Sequence, residues 1–349
     1  MRKSGIDLLR IFAALGVTLI HYHDECMALS NFPTLNMITL IFMKSIGICS
    51  VDIFLVISGY FLINSDKRKL GKIVALILQV SVFNLFFLIG RHVFDEDMIS
   101  FKSVIASMIP GNYFVILYAT LYFISPYVNK LLNSLTPFGR KTFLIFSLFL
   151  FSLYPTLLDF TQELRGEKWW GVSTIGAWGN QQGFNIVNFI LLYCVGALVK
   201  LDNLFARWGK RESLILSLSI TIIVIFLWAL FEENVTRFGM RSAWCYHNPF
   251  VILMAVLLFR VFLGLEFSNE TVSRLGQVAF TSYLLNMFVL KHSSIPEYAT
   301  QGVIIMMFHY VFVAIGIYFI AYLLHPVYCF FIKPIEDRLN KVKINYFEQ

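Results

Sequence analysis

Charge is what this chain lacks most. Asp, Glu, Lys and Arg together fill 14% of its 349 positions, against 58% hydrophobic residues. So little charge cannot cover the surface of a water-soluble domain, and a mean hydropathy of +0.72 excludes that class. Cysteine is sparse too. Cys26, Cys49, Cys194, Cys245 and Cys329 are odd in number and scattered, without CxxC or Cys/His spacing. The expectation is therefore no metal site and no disulfide framework. Cys26 and Cys245 both fall near one predicted face, where a disulfide is open but unsupported. Asp7 and Arg10 interrupt the first apolar run and no small-x-small cleavage site follows it, so a cleaved signal peptide is not expected. Internal repeats, low-complexity segments and an attached soluble domain are all missing.

What is present is a succession of apolar segments rich in phenylalanine, 36 in all. The predicted spans are residues 6–23, 37–63, 70–90, 113–132, 142–158, 184–200, 213–231, 248–265, 272–290 and 302–332. Several exceed the roughly 20 residues that a crossing needs, so tilt or overhang is expected. The fold class is all-α and integral to the membrane. One bundle of about ten helices takes up residues 1–349, with 333–349 as a tail. Of the 28 Lys and Arg residues, 19 fall on the side of the termini and seven on the other, while Arg10 and Lys44 lie within spans. The positive-inside rule then puts both termini in the cytoplasm. The net charge of +7 thus reflects topology rather than a nucleic-acid surface.

The first span carries the most informative pair, Arg10 and His21. Eleven positions separate them, which at about 100° and 1.5 Å per residue leaves them roughly 20° apart around the axis and ~16 Å apart along it. Ionisable groups inside a span cost ~2.5–3.5 kcal/mol each on insertion scales and normally face a polar interior. Arg10 alone could snorkel to headgroups, and His21 with His23, Asp24 and Glu25 could be an interfacial polar cluster. His23 lies ~200° from His21 around the helix, so the two cannot share one face.

Asp52 is the notable member of the second span. At 1.5 Å per residue, His21 and Asp52 sit at depths of roughly 22 and 18 Å, close enough to meet. A carboxylate on one ring nitrogen would fix the imidazole tautomer and leave the other free as a general base. The alternative is a packing partner for another polar group. Ser58-Gly59 below it permits close helix approach.

Lys67, Arg68, Lys69 and Lys72 follow on a predicted inner loop. They suit the phosphates of a nucleotide-bearing thioester, or simply set topology against anionic lipid. On the opposite side Trp169, Trp170 and Trp178 stand beside glycines and side-chain amides. That combination suits a sugar ring, though an interfacial aromatic belt explains it equally well. His247 and Asn248, before Pro249, offer a second polar cluster at the same face.

In this order, the pieces resemble the acyltransferase-3 family of multi-pass bacterial membrane proteins over nearly the whole chain. Arg10-x10-His21 resembles the family's Arg-x10-His signature, and Val51 to Phe61 its "VDLFFxxSGY" run. Tyr113-Phe114, Leu121 to Pro126 and Asn129 are similar to "WFL…LYLLSPxxN". Tyr193, Gly196 and Ala197 are similar to "YxxGAY", and Asn248-Pro249-Phe250 to "NSPF". The chain departs from the pattern at Tyr113 (often Trp), at Asn286 (a His in the family) and at Lys67–Lys72, which lacks the usual proline.

The resemblance implies transfer of an acyl group, usually acetyl from acetyl-CoA, to a glycan hydroxyl at the bacterial plasma membrane. His21 would be the catalytic histidine, as general base or acyl carrier, and Arg10 a donor-side residue. Ser58 and Gly59 would belong to the donor path. The expected partners are acyl-CoA as donor substrate, a surface polysaccharide or lipid-linked saccharide as acceptor, and the bilayer. No nucleic acid or metal is expected, and oligomeric state has no signal. The rivals are a polysaccharide exporter of the same fold, or a sensor or interaction module that keeps the fold without catalysis.

Overall fold

The computed structural model describes residues 4–29, 32–94, 98–204, 211–235 and 242–346. Arg2, Lys3, Arg207, Lys210, Arg237 and Arg241, used in the charge count above, lie outside the described residues. Helices dominate. In chain order they are α1 (Ser4–Met27), α2 (Thr34–Gly47), α3 (Ser50–Leu62), α4 (Leu70–Phe94), α5 (Phe101–Met108), α6 (Tyr113–Ser134), α7 (Pro137–Leu148) and α8 (Tyr154–Arg165). There follow α9 (Ile186–Leu201), α10 (Arg211–Val235), α11 (Pro249–Leu263), α12 (Glu270–Gln277), α13 (Ala279–Lys291), α14 (Ile295–Ala299), α15 (Val303–Phe331) and α16 (Lys333–Leu339).

All ten predicted spans are helical. Eight helical segments among the described residues are long and apolar enough to cross a membrane; α9 is apolar but shorter, and α12–α13 is split at Val278. The protein is an all-α membrane bundle.

Two predicted spans are not the smooth rods that periodicity suggests. Residues 37–63 break between α2 and α3, where α1 crosses very closely. A Cβ on Gly16 would stand 2.1 Å from Ser50 Oγ, and one on Gly47 3.2 Å from the Gly16 carbonyl. Ser50 Oγ donates to the Gly47 carbonyl at 2.5 Å, tying the break together. Residues 142–158 contain a π turn, Phe149–Leu153, between α7 and α8. Pro155 explains it, because proline offers no N–H to the turn before it and its ring pushes on that turn.

The centre of the bundle is the crossing of α3 and α9. Both are short, and α9 is buried on nearly every side, as a helix that is hydrophobic all round should be. A Cβ on Gly59 would come 2.0 Å from the Tyr193 carbonyl oxygen, and one on Gly196 2.1 Å from that of Val56. Backbone therefore packs on backbone, as small residues allow in membranes. Gly59→Ala is expected to force the helices apart and cost about 1–3 kcal/mol or more, the usual range for overpacking. A lower unfolding temperature in detergent, with Gly302→Ala as an unconstrained control, would check it.

The only strands among the described residues, β1 (Lys67–Lys69) and β2 (Lys343–Asn345), pair antiparallel. The tail thus returns to the basic segment.

Candidate functional site

On α1, residues 10, 13, 14, 17, 21 and 24 share one stripe. Arg10 opens it, and its Nη1 donates to Asp7 Oδ1 at 2.7 Å. The last turn of α12 presses on Asp7, where a Cβ on Gly276 would stand 2.7 Å from Asp7 Cβ. That approach brings Gln277 beside Arg10. Ala13 and Ala14, both buried and small, leave room along the stripe.

A cavity of about 320 Å³ runs along it. Arg10, Lys72 and Gln277 line it together with Ser58, Tyr118, Phe54, Val17, Val51, Phe114 and Tyr283. Ser58 Oγ donates to the Phe54 carbonyl at 2.8 Å and meets Tyr118 Oη at 3.2 Å. The Arg10 side chain is 30% exposed, so it is reachable.

A second cavity of about 580 Å³ opens further along α1, centred on a neighbouring face of the helix. Ile20, His23, Asp24, Lys44, Trp244 and Tyr246 line it, with Gln182 and Phe184 at its rim. Lys44 Nζ donates to Asp24 Oδ1 at 2.6 Å and lies 3.3 Å from His23 Nδ1, which is itself 2.9 Å from Asp24 Oδ1. Lys44 also stands 4.3 Å above the Trp244 ring. Sequence reading missed this group, since Lys44 and Trp244 lie 200 positions apart and neither belongs to a motif.

His21 lines neither cavity, but its neighbours on α1 line both. Val17, one turn before it, lines the first, and Asp24, one turn after it, lines the second. The imidazole is half-buried, with Asp24 and Lys44 as charged neighbours.

Asp52 does not join it, which corrects the expected pairing. Its carboxylate is wholly buried and both oxygens lack a hydrogen bond. Its electrostatic neighbours are Cys49, Tyr113 and Tyr246. The physical reason is the break before α3, which places Asp52 in the first turn of a new helix. Depth along a continuous rod therefore says nothing about where it points. Tyr113 and Tyr246 both stand edge-on to Phe184, at 4.8 and 4.9 Å between ring centroids.

Among the four cations of the basic segment, Lys72 alone lines the first cavity; Lys67 and Lys69 are exposed on β1. Arg68 is fully buried with its donors engaged, a correction to its expected contact with donor phosphates. It bonds the Ser65, Lys67 and Tyr122 carbonyls and Ser125 Oγ, at 2.6–3.1 Å. Gly59 likewise faces α9 rather than the cavity.

On the far side, Trp170 and Trp178 are 61% and 84% exposed, and their rings meet edge to face at 4.1 Å. Trp169 is half-buried under Arg165. Asn248 is no open-face ligand: it caps α11, accepting from Phe250 N at 2.9 Å and donating to the Ser242 carbonyl at 3.0 Å. His247 is also wholly buried. Both corrections have one cause, the loop 166–185 folding over the start of α11.

A family described as an acyltransferase domain, acyltransferase-3, matches residues 3–326. The chain belongs to the acyltransferase-3 family. No curated protein and no solved structure matches it. The protein is therefore a multi-pass membrane acyltransferase, and His21 with the two cavities that its α1 neighbours line is the candidate site of this acyltransferase-3 bundle. Several motif residues of the family turn out to be framework here. Asn129 Nδ2 donates to the Leu62 and Ser65 carbonyls at 2.7 and 3.0 Å, and Tyr193 Oη donates to Asn129 Oδ1 at 2.7 Å. Together with Ser125 they hold the end of α3 and the turn that leads to Lys72. At the family's histidine position, Asn286 is buried with both amide atoms unbonded.

Proposed function

We propose that the protein is an O-acyltransferase that moves an acyl group, acetyl by preference, from cytoplasmic acyl-CoA to a hydroxyl of a cell-surface polysaccharide or its lipid-linked precursor. The observation that carries this reading is the place of His21 on α1, one turn from a residue of each of two cavities of different character. The first, narrow and largely apolar with Arg10 and Lys72 at its mouth, suits a pantetheine arm whose phosphates stay outside. The second, lined by charged and aromatic groups and by Gln182 and Phe184 of the loop that carries the tryptophans, suits a saccharide. In this reading the Arg10 end faces the cytoplasm of a bacterial cell and the Trp170–Trp178 end faces outward.

The chemistry follows from that position. The acceptor hydroxyl gives its proton to the His21 imidazole as its oxygen attacks the thioester carbonyl. The C–O bond forms, the C–S bond breaks, and the CoA thiolate recovers the proton. In a two-step route the imidazole itself first takes the acyl group.

Labelled acetyl-CoA incubated with the purified protein and candidate glycans tests the proposal; transfer of label to no glycan would sink it. Lys72→Ala is expected to raise KM for acyl-CoA about 5- to 10-fold with kcat little changed. A hydrogen bond to a charged group contributes about 1.5–3 kcal/mol, reduced here by exposure, and 1.4 kcal/mol is tenfold. Initial rates against acyl-CoA concentration check it.

A second reading, a polysaccharide exporter, has one observation on its side. The Thr34–Leu62 segment is broken at mid-depth beside unbonded Asp52, and transporters use broken helices of this kind. Loss of surface glycan with its acetylation intact, in cells lacking the protein, would favour export.

A further inference from the structure

Away from His21, the fold brings together three side chains that no motif connects. Asp159 lies on α8; Cys245 and His247 lie just before α11. Asp159 Oδ2 is 3.2 Å from His247 Nε2 and 3.8 Å from Cys245 Sγ. All three ligand atoms lie within 4.8 Å of one another. Cys245 and His247 are 2% and 0% exposed, while Asp159 keeps 15% of its side chain open.

We propose that Asp159, Cys245 and His247 bind a divalent cation of the zinc class, leaving a fourth position for water. The donor set is the first reason: a thiolate with an imidazole and a carboxylate selects zinc over calcium or magnesium, which take oxygen ligands. The spacing is the second. Bonds of about 2.0–2.3 Å at tetrahedral angles put neighbouring ligand atoms about 3.3–3.8 Å apart, close to the 3.2 and 3.8 Å from Asp159 Oδ2 to His247 and Cys245. The third is that the His247 ring is buried without a hydrogen bond at either nitrogen, although Nε2 lies beside a carboxylate. A cation between the two would satisfy both.

The surroundings fit a built site. Asn180 Nδ2 donates to Asp159 Oδ1 at 2.7 Å, and Ser173 Oγ donates to Asn180 Oδ1 at 2.5 Å, which orients the carboxylate from behind. Ser152 Oγ fixes the His247 carbonyl at 2.6 Å. Asn180 belongs to the loop that carries Trp170 and Trp178. The bound cation would clamp that loop to α8 and α11, with the Cys245 proton released to solvent on binding.

The test uses full-length protein in detergent, stripped with a chelator and reloaded with Zn²⁺ or Co²⁺. One equivalent of zinc per chain by elemental mass spectrometry is expected, with a thiolate-to-cobalt charge-transfer band in the cobalt form. Cys245→Ser should abolish the band. Asn180→Ala, which keeps all three ligand side chains and removes only the hydrogen bond behind Asp159, should weaken zinc binding about 10- to 100-fold. Cys329→Ser is the control, because exposed Cys329 lies 3.6 Å from His325 and offers an incidental thiol–imidazole pair. Less than a tenth of an equivalent of zinc on folded wild-type protein, or a cobalt band lost in Cys329→Ser and kept in Cys245→Ser, would overturn the proposal.

Discussion

His21→Ala is expected to lower kcat for acyl transfer by a factor of about 10²–10⁴, the contribution of a positioned general base. KM for acyl-CoA should stay near its wild-type value, because the donor's charged groups meet Arg10 and Lys72 a cavity's length away. The fold should survive. The half-buried His21 ring has no hydrogen bond among the described residues, so its truncation leaves no buried partner unsatisfied. His23→Ala is the informative comparison. It removes a ring held by Asp24 and Lys44 and packed edge-on at 5.0 Å from Trp244, so it should reduce thermal stability more than His21→Ala does. Steady-state rates with labelled acetyl-CoA, alongside unfolding temperatures of both variants, separate the two roles. Folded His21→Ala protein retaining a tenth or more of wild-type kcat would remove the imidazole from the reaction.

The residues that were legible beforehand are those whose meaning depends on one helix alone. Arg10 and His21 needed only the helical period to be placed on one face of α1, and Arg10 lines the first cavity. The apolar spans needed only hydropathy, and each became helix. What failed needed knowledge of how one helix meets another. Asp52 had the right depth, but the break at residues 48–49 turned it toward Cys49 and the tyrosines. Gly59 was legible as a small residue permitting close approach, and illegible as to which neighbour it approaches. The Lys44–Asp24–His23–Trp244 group and the Asp159–Cys245–His247 cluster are assembled from distant positions by tertiary folding. His23-Asp24 and Cys245-x-His247 are local pairs, but nothing in their spacing announces Lys44, Trp244 or Asp159 as the partners.

Arg68→Ala is expected to cost about 3–5 kcal/mol, from several buried acceptors left short of a donor and the volume of a large buried side chain removed. Pro126 is the reason the arginine is needed. Proline has no N–H, so the helical bond from position 126 back to the Tyr122 carbonyl is missing. Arg68 Nε fills the gap at 3.1 Å, assisted by Ser125 Oγ at 2.8 Å. The same guanidinium ties Ser65 and Lys67, and so holds the turn from α3 into β1 against α6. Arg68→Lys should restore little, since a single ammonium cannot reproduce a planar fork of donors. Lys67→Ala and Lys69→Ala, exposed on the same strand, should leave the unfolding temperature unchanged. Pro126→Ala returns the helical N–H to Tyr122, so Arg68→Ala made in that background should cost about 1 kcal/mol less, a coupling within the usual range for neighbours. Purely additive losses would show that the arginine acts elsewhere. A raised KM for acyl-CoA at unchanged stability would return Arg68 to the donor site, from which its burial removes it.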